Sequence, residues 1–462
     1  MEEIRRGWTF RLLRPDVASL LAVGLWLVSF LLPPQFVEPY LEERDVVFLN
    51  LPMAMVVVVS AVAFWKGTKT GKTRGHRRTS ESQPRMIVTR SLLSKVFWVA
   101  LVIPFFEILV IFTVLHKVGI GTLLLATQNP TLGTAWRTDV SSTLRLGGIN
   151  FGALVNCCYA ALVSCTFAAL WADPGRGKRR ICLILLGIGG LLYALTSLIL
   201  FQRWPLFEYL LSMLVALLVY RDLKFGVTRA KVVGLIAGSA LVCTAIFFLV
   251  NALRTSSTGS SMLLGYTVGS YNLGAAAISG SFHQPHAHST YATFGWFWDA
   301  PLIGATLRNL GISLGLDLPL GGALAPTAAV EWPSAVASAG LNPAFQWDTM
   351  FARIYADVGV LFPLVFFVYG YACQRVYERF CRLDIFGVFL YVPLLVNILS
   401  WFSGVALSTP FDDYLLSALI IWIWLKDLWI IDVNGQMGSE TSRTLLIDGK
   451  LNRISAPLRR TD

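Results

Sequence analysis

Charge is scarce in this chain, and where it occurs it is confined. Asp, Glu, Lys and Arg make up only 14% of the 462 residues against 55% hydrophobic residues, a balance that excludes an ordinary water-facing surface. A cysteine scaffold is missing as well. Of seven cysteines, Cys157, Cys158, Cys165, Cys182 and Cys243 lie in or at the ends of apolar runs, and Cys373 and Cys381 lie near a basic loop, so no disulfide framework is expected. No internal repeat is visible, which argues against a transporter built from duplicated halves. The N-terminus carries Arg5, Arg6, Arg11 and Arg14 ahead of an apolar stretch, as a secretory leader does, but no small-residue cleavage site follows. It reads as a retained first helix. The basic stretch from Lys66 to Arg90 lacks the interleaved aromatic residues on which bases stack, so no nucleic acid is expected as a partner.

What the chain does have is long apolar runs, with 29 Phe and 15 Trp among its residues. Ten of these runs are long enough to satisfy their backbone groups as spanning helices: residues 17–33, 46–65, 96–115, 149–171, 181–200, 205–219, 232–251, 350–372, 386–407 and 413–431. The segments 1–16, 66–95, 172–180, 220–231, 373–385 and 426–462 hold 30 of the 38 Lys and Arg but only 13 of the 27 carboxylates. By the positive-inside rule all six are cytoplasmic, with a net charge of about +17, and the other side carries about −6. The fold class expected is therefore an all-α polytopic membrane protein with about 10 transmembrane helices and a large external loop. Residues 1–16 form a cytoplasmic N-terminus, 17–251 hold spans one to seven, 252–349 form the external loop with short or re-entrant helices, 350–431 hold spans eight to ten, and 432–462 form a polar cytoplasmic tail. Two Gly-punctuated apolar stretches of the loop, Met262 to Ala277 and Pro301 to Leu320, are expected to lie on or dip into the outer leaflet.

The few charges outside the cytoplasmic segments are the candidate functional groups. Arg203 stands at the outer rim between two expected spans, where a guanidinium needs a partner or a wet cavity; a snorkelling Arg in a tight external hairpin is the alternative. Arg254 opens the long loop, followed by Tyr266, Tyr271 and Asn272 among glycines that let a polar ligand approach backbone. Arg353 lies in expected span eight, five residues after Asp348 and four before Asp357, a spacing that also permits simple neutralisation on one helix face. Three arginines at one depth suit a multivalent anion, because a guanidinium binds phosphate oxygens in pairs. A lipid diphosphate fits that location, with membrane lipid as its surroundings. The loop also brings His283, His286 and His288, with Asp299, Asp317 and Glu331. These histidines admit three readings: a zinc site, a solvated loop, or a general base or sugar contact. Neither a Cys nor a well-spaced carboxylate completes a zinc set, so no metal and no cofactor are expected. Trp296, Trp298, Trp332 and Trp347 read either as interfacial belt residues or as platforms for sugar rings. Glu107, in mid-span, is a functional candidate without a partner that the sequence can name.

Together these features resemble the Wzy-type polymerases of lipid-linked oligosaccharide repeat units, which build O-antigen, capsule and exopolysaccharide. The likeness covers roughly residues 90 to 430. It rests on Gln202-Arg203-Trp204-Pro205 in a mid-chain hairpin, on Arg254 with the Tyr and Gly stretch after it, and above all on WDTMFARIYADVGVLFPLVFFVYGYACQRVYER, similar to that family's Thr, aromatic, Asp-x-Gly helix. Phe362-Pro363 after the Asp-x-Gly and the His-rich loop depart from the family pattern. The resemblance implies a GT-C-like membrane glycosyltransferase architecture in the bacterial inner membrane. It also implies a reaction in which a growing glycan leaves undecaprenyl diphosphate for a sugar hydroxyl of the acceptor repeat unit at the periplasmic face. Arg203, Arg254, Arg353, His286 and Glu331 are then the catalytic candidates, and Tyr266, Tyr271, Trp298, Trp347, Asp348 and Asp357 the substrate-binding ones. Undecaprenyl-diphosphate-linked oligosaccharide is the implied partner, with a chain-length regulator protein as a further one. An O-antigen ligase-like transferase shares these features, and a non-enzymatic transporter or flippase of lipid-linked sugars is the third class.

Every functional expectation depends on orientation, which fusion reporters measure. A reporter joined after residue 300 is expected in the periplasm and one joined after Thr79 in the cytoplasm. Reversed activity at either junction removes the anion-site reading.

Overall fold

The computed structural model describes residues 8–33, 47–72, 85–88, 90–128, 145–146, 149–171, 176–199, 203–225, 228, 230–235, 237–238, 241, 245, 259–285, 293, 313–314, 332, 334–341, 349–382, 384–403 and 429–432. Helices dominate: α1 (Trp8–Leu12), α2 (Pro15–Leu31), α3 (Leu51–Gly71), α4 (Arg90–Val118), α5 (Ile120–Gln128), α6 (Phe151–Trp171), α7 (Arg176–Ile199), α8 (Arg203–Phe225), α9 (Gly259–Ile278), α10 (Met350–Val358), α11 (Phe362–Cys381) and α12 (Ile385–Leu399). Strand structure among the described residues is limited to two short antiparallel ladders. One joins β1 (Arg85–Val88) to β4 (Trp429–Asp432), the other β2 (Arg145–Leu146) to β3 (Ile149–Asn150).

Four helical stretches among the described residues have the length and composition to cross a membrane: Leu51–Gly71, Leu93–His116, Gly177–Ile199 and Met350–Cys381. Their side chains are distributed inside out. On α4, Phe105 and Phe112 are 71% and 64% exposed while Glu107 is fully buried. In water that arrangement would be costly twice over. In lipid it is the favourable one, because the hydrocarbon accepts the phenyl rings and the bundle interior takes the carboxyl. The chain is a helical membrane protein.

Local chemistry sets the helix ends. Pro15 at the first position of α2 needs no hydrogen-bond acceptor for its nitrogen, and Arg14 forks onto Asp16 through Nε–Oδ1 at 3.0 Å and Nη2–Oδ2 at 2.5 Å. Asn50 caps α3 by accepting the Met53 N–H at 3.0 Å, and Thr349 caps α10 by accepting the Ala352 N–H at 3.2 Å. Gly119, at φ +86°, breaks α4 from α5, so the stretch after residue 116 makes a short helix, in line with its Gly-interrupted pattern.

The closest packing is between α3 and α11, which run parallel. A Cβ added at Gly67 would lie 2.0 Å from the Phe367 carbonyl oxygen, one at Gly370 2.2 Å from that of Phe64, and one at Gly71 2.8 Å from that of Tyr371. Gly67 and Gly71 are four apart, so their bare faces align on one side of α3, and Gly370 supplies the matching gap on α11. Beside this seam the fully buried Trp401 ring meets Phe64, Phe351 and Phe366 at 4.8, 5.6 and 5.6 Å. A second group of helices, α4, α6, α7 and α8, packs alongside and contacts the first through α12.

Two expected elements are built differently in detail. Residues 350–372 fall within the stretch Met350–Cys381 that is long and apolar enough to cross a membrane, but its helix is interrupted: α10 stops at Val358, Gly359 takes φ +56°, and α11 begins only at Phe362 after a 3-10 turn. The positive φ requires glycine, and Pro363 cannot donate back into the preceding turn, so Asp-x-Gly followed by Phe-Pro is itself the break. Likewise Met262 to Ala277 belongs to one helix of 20 residues, α9, whose residues 268–276 are all buried in the bundle against α2, α3 and α10. Its glycines serve close packing: at Gly274 a Cβ would lie 3.0 Å from Thr349 Oγ1. The stretch Pro301 to Leu320 lies almost wholly outside the described residues.

The glycine seam makes a stability prediction. Gly370→Val should lower the stability of the purified protein by about 1–3 kcal/mol or more, since a backbone carbonyl cannot step aside. Gly187→Ala, with nothing within 4 Å of its added Cβ, should be neutral or slightly stabilising. Thermal unfolding in detergent compares the two, and equal midpoints would mean that the helices separate at little cost.

Candidate functional site

The two ends of the bundle are built from different parts of the chain. At one end the amino-terminal segment docks onto helix ends. Thr9 N donates to Asp222 Oδ2 at 3.2 Å, Tyr377 OH to Phe10 O at 2.6 Å, and Tyr391 OH to Leu13 O. The β1–β4 ladder likewise joins two stretches that the charge count assigns to one side. At the other end residues 47–53, the end of α9 and the start of α10 meet.

That second end holds the candidate site. α10 carries Arg353 and Asp357 one turn apart. The Arg353 guanidinium carbon lies 5.4 Å from the centre of the Trp332 ring, a cation–π arrangement, and Trp332 in turn meets Phe282 edge to face at 5.3 Å. Asp357 is buried, and its Oδ2 accepts the Thr293 backbone N–H at 2.9 Å. Asn272 of α9 accepts the Phe48 N–H at 2.5 Å, holding the entry to α3 against the same region. Thus α10 holds two separate stretches of the 252–349 segment directly, around residues 293 and 332, and a third around residue 282 through Trp332. A charge-bearing turn next to a helix break is the kind of non-helical backbone that membrane proteins keep only where protein or water covers it.

The expected site residues divide accordingly. Arg353 and Asp357 come together here with Trp332, which packs under a guanidinium as well as having the ring chemistry of a belt or sugar contact. Tyr271 does not join them: it is fully buried, its hydroxyl donates to Ala22 O at 2.5 Å, and no surface is left on it for a ligand. That bond ties α9 to α2, so the substrate contact expected of Tyr271 is replaced by helix packing. The backbone of Arg203 opens α8 and that of Tyr266 lies in α9; their side chains lie outside the described residues. So do Arg254, His286, His288, Trp298, Glu331, Trp347 and Asp348. His283 is described and exposed. Among the described residues no three His, Cys, Asp or Glu side chains converge as a metal site would require. Thr293 escapes sequence reasoning altogether, because it contributes a backbone N–H, which any residue but proline carries.

No protein-family model, curated protein or solved structure matches the chain.

The stacking of Arg353 on Trp332 is measurable as a coupling. A double-mutant cycle of Arg353→Met and Trp332→Leu, read by thermal unfolding, should give about 0.5–2 kcal/mol. Zero coupling would mean that other contacts orient the guanidinium.

Proposed function

We propose that this protein is a membrane glycosyltransferase that polymerises undecaprenyl-diphosphate-linked oligosaccharide repeat units at the periplasmic face of a bacterial inner membrane, from a bundle of about ten spans with both termini cytoplasmic. The observation that best supports the reading is the convergence on α10, where Arg353 lies over Trp332 and Asp357 holds the segment at Thr293. A cluster of arginines that includes Arg353 would stabilise charge on a departing diphosphate without a metal, and the aromatic rings of the external segment offer stacking faces to sugars. Arg203 and Arg254 supply the other two guanidinium groups. Either a carboxylate such as Glu331 or a histidine such as His286 takes the proton from the attacking hydroxyl, whose oxygen bonds to the anomeric carbon as the bond to the lipid diphosphate breaks. The 252–349 segment holds the glycan and the apolar helices hold the polyprenyl chain.

A second reading has one observation in its favour. Carriage of a lipid-linked sugar across the membrane calls for ionisable groups inside the bundle, and Glu107 and Glu208 are buried there.

One reconstitution separates the two. In vesicles supplied with lipid-linked repeat units, wild-type protein should extend the glycan, while Arg203→Ala and Arg254→Ala should each slow extension by about 100-fold or more at normal protein abundance. Lys at either position should restore it only in part, since the paired geometry is lost. Long glycan from both Ala variants would remove the anion site. Transfer of the lipid between leaflets with no glycan extension would favour the carrier.

A further inference from the structure

Between α4, α6, α7 and α8 the bundle encloses a seam of oxygen-bearing side chains that plays no part in the site on α10. Glu107 is fully buried near the centre of the apolar stretch Leu93–His116. Its Oε2 accepts a hydrogen bond from Thr196 Oγ1 at 2.6 Å, whereas Oε1 has no partner among the described residues. Three residues before Thr196, on the same face of α7, stands Tyr193, fully buried and with a hydroxyl that likewise has no partner among the described residues. Tyr193 is within electrostatic range of Glu107, Glu208, Tyr159 and Cys158. The Tyr159 and Tyr209 rings flank it at 6.1 and 5.7 Å. Gly190, a further turn back on the same face, leaves the notch that the Tyr209 hydroxyl fills: a Cβ there would lie 1.8 Å from it. Ser212 Oγ donates to Glu208 O at 2.7 Å, so in its bond with Tyr159 the phenol is the donor.

A bare carboxylate at Glu107 is excluded by cost. No described cation interacts with it, and an unpaired charge in this surrounding would have to be neutralised. A metal cation requires a shell of several oxygen ligands, but among the described residues this seam has only two oxygens without a hydrogen-bond partner. A proton needs only one of them, Oε1 of Glu107. The basic residues of α7 are no alternative, since Arg180 lies 16 residues from Thr196, or about 24 Å along the helix.

We propose that this seam is an intramembrane proton-binding site, in which Glu107 carries the proton at Oε1 and the Thr196 hydroxyl anchors the carboxyl through Oε2. Uptake of a proton from water turns the carboxylate into a carboxylic acid, and release returns the proton to water. Thr196 holds the other carboxyl oxygen in both forms. The groups around Tyr193, one turn from Thr196, are Cys158 and Tyr159 on α6 and Glu208 and Tyr209 on α8, all neutral or acidic, so none of them is a base or cation that displaces the proton from Glu107.

Infrared spectroscopy of the full chain in lipid nanodiscs tests this without any substrate, so its outcome is independent of the polymerase reading. At neutral pH the spectrum should contain the carbonyl stretch of a protonated carboxylic acid. Glu107→Gln should lose it, Glu208→Gln should keep it, and Thr196→Val should move it to higher frequency, because the carbonyl at Oε2 loses its hydrogen-bond donor. Should the Gln variant fold poorly, Glu107→Asp provides the second reading: the band should persist at a shifted frequency. A band unchanged in Glu107→Gln, missing from a folded Glu107→Asp variant, or appearing only when sodium and potassium are withdrawn would overturn the proposal.

Discussion

The approach of α3 to α11 is the constraint on which the rest of the bundle depends. Lipid offers apolar side chains as good a home as another helix does, so burial alone gives two spans little reason to associate. Contact at backbone distance does, because it adds dispersion along the seam. Gly67, Gly71 and Gly370 make that approach possible. Once the two helices are this close, Phe64 and Phe366 are in place to enclose Trp401, α10 is suspended above the seam by the break at Gly359, and α9 fits against both α3 and α10. The position of Arg353 and Asp357 follows from that suspension.

Polar groups in this protein are used sparingly and mostly in pairs. Tyr271 and Ala22, Trp65 and Ser19, Tyr369 and Asn397, and Thr196 and Glu107 are each joined by a hydrogen bond between helices. Such bonds add modest strength in a membrane. Their larger effect is to fix rotation, since a helix turned by one residue would carry its one polar side chain into hydrocarbon. α4 illustrates the rule, with Glu107 as the polar member of an otherwise apolar buried face.

Much of this arrangement was legible in the sequence, for definite reasons. Long apolar runs announce helices, and charge segregation groups 66–95 with 426–462, whose strands β1 and β4 do pair. The break in the helix was visible only as the unexplained Phe362-Pro363, since nothing local says that Gly359 will take a positive φ. The burial of α9 was hidden because a Gly-rich apolar stretch reads equally as a surface helix or a tightly packed one, and only its neighbours decide. Glu107 could be marked as important but not given a partner, because Thr196 is one hydroxyl among many and lies 89 residues away. Most of the candidate site shares that difficulty: Trp332 and Thr293 reach Arg353 and Asp357 through contacts between residues well apart in sequence.

The glycine seam also bears on how the chain is made. Gly67 leaves the ribosome about 300 residues before Gly370, so during most of synthesis α3 stands in the membrane with its bare face uncovered. Its early neighbour α2 packs on it through Ser19 and Trp65, which leaves the grooved side waiting. Any transcript cut short before residue 362 therefore yields a set of inserted helices with an open, backbone-lined cleft. Such a cleft is a distinguishing mark by which membrane quality control can tell an unfinished chain from a completed one.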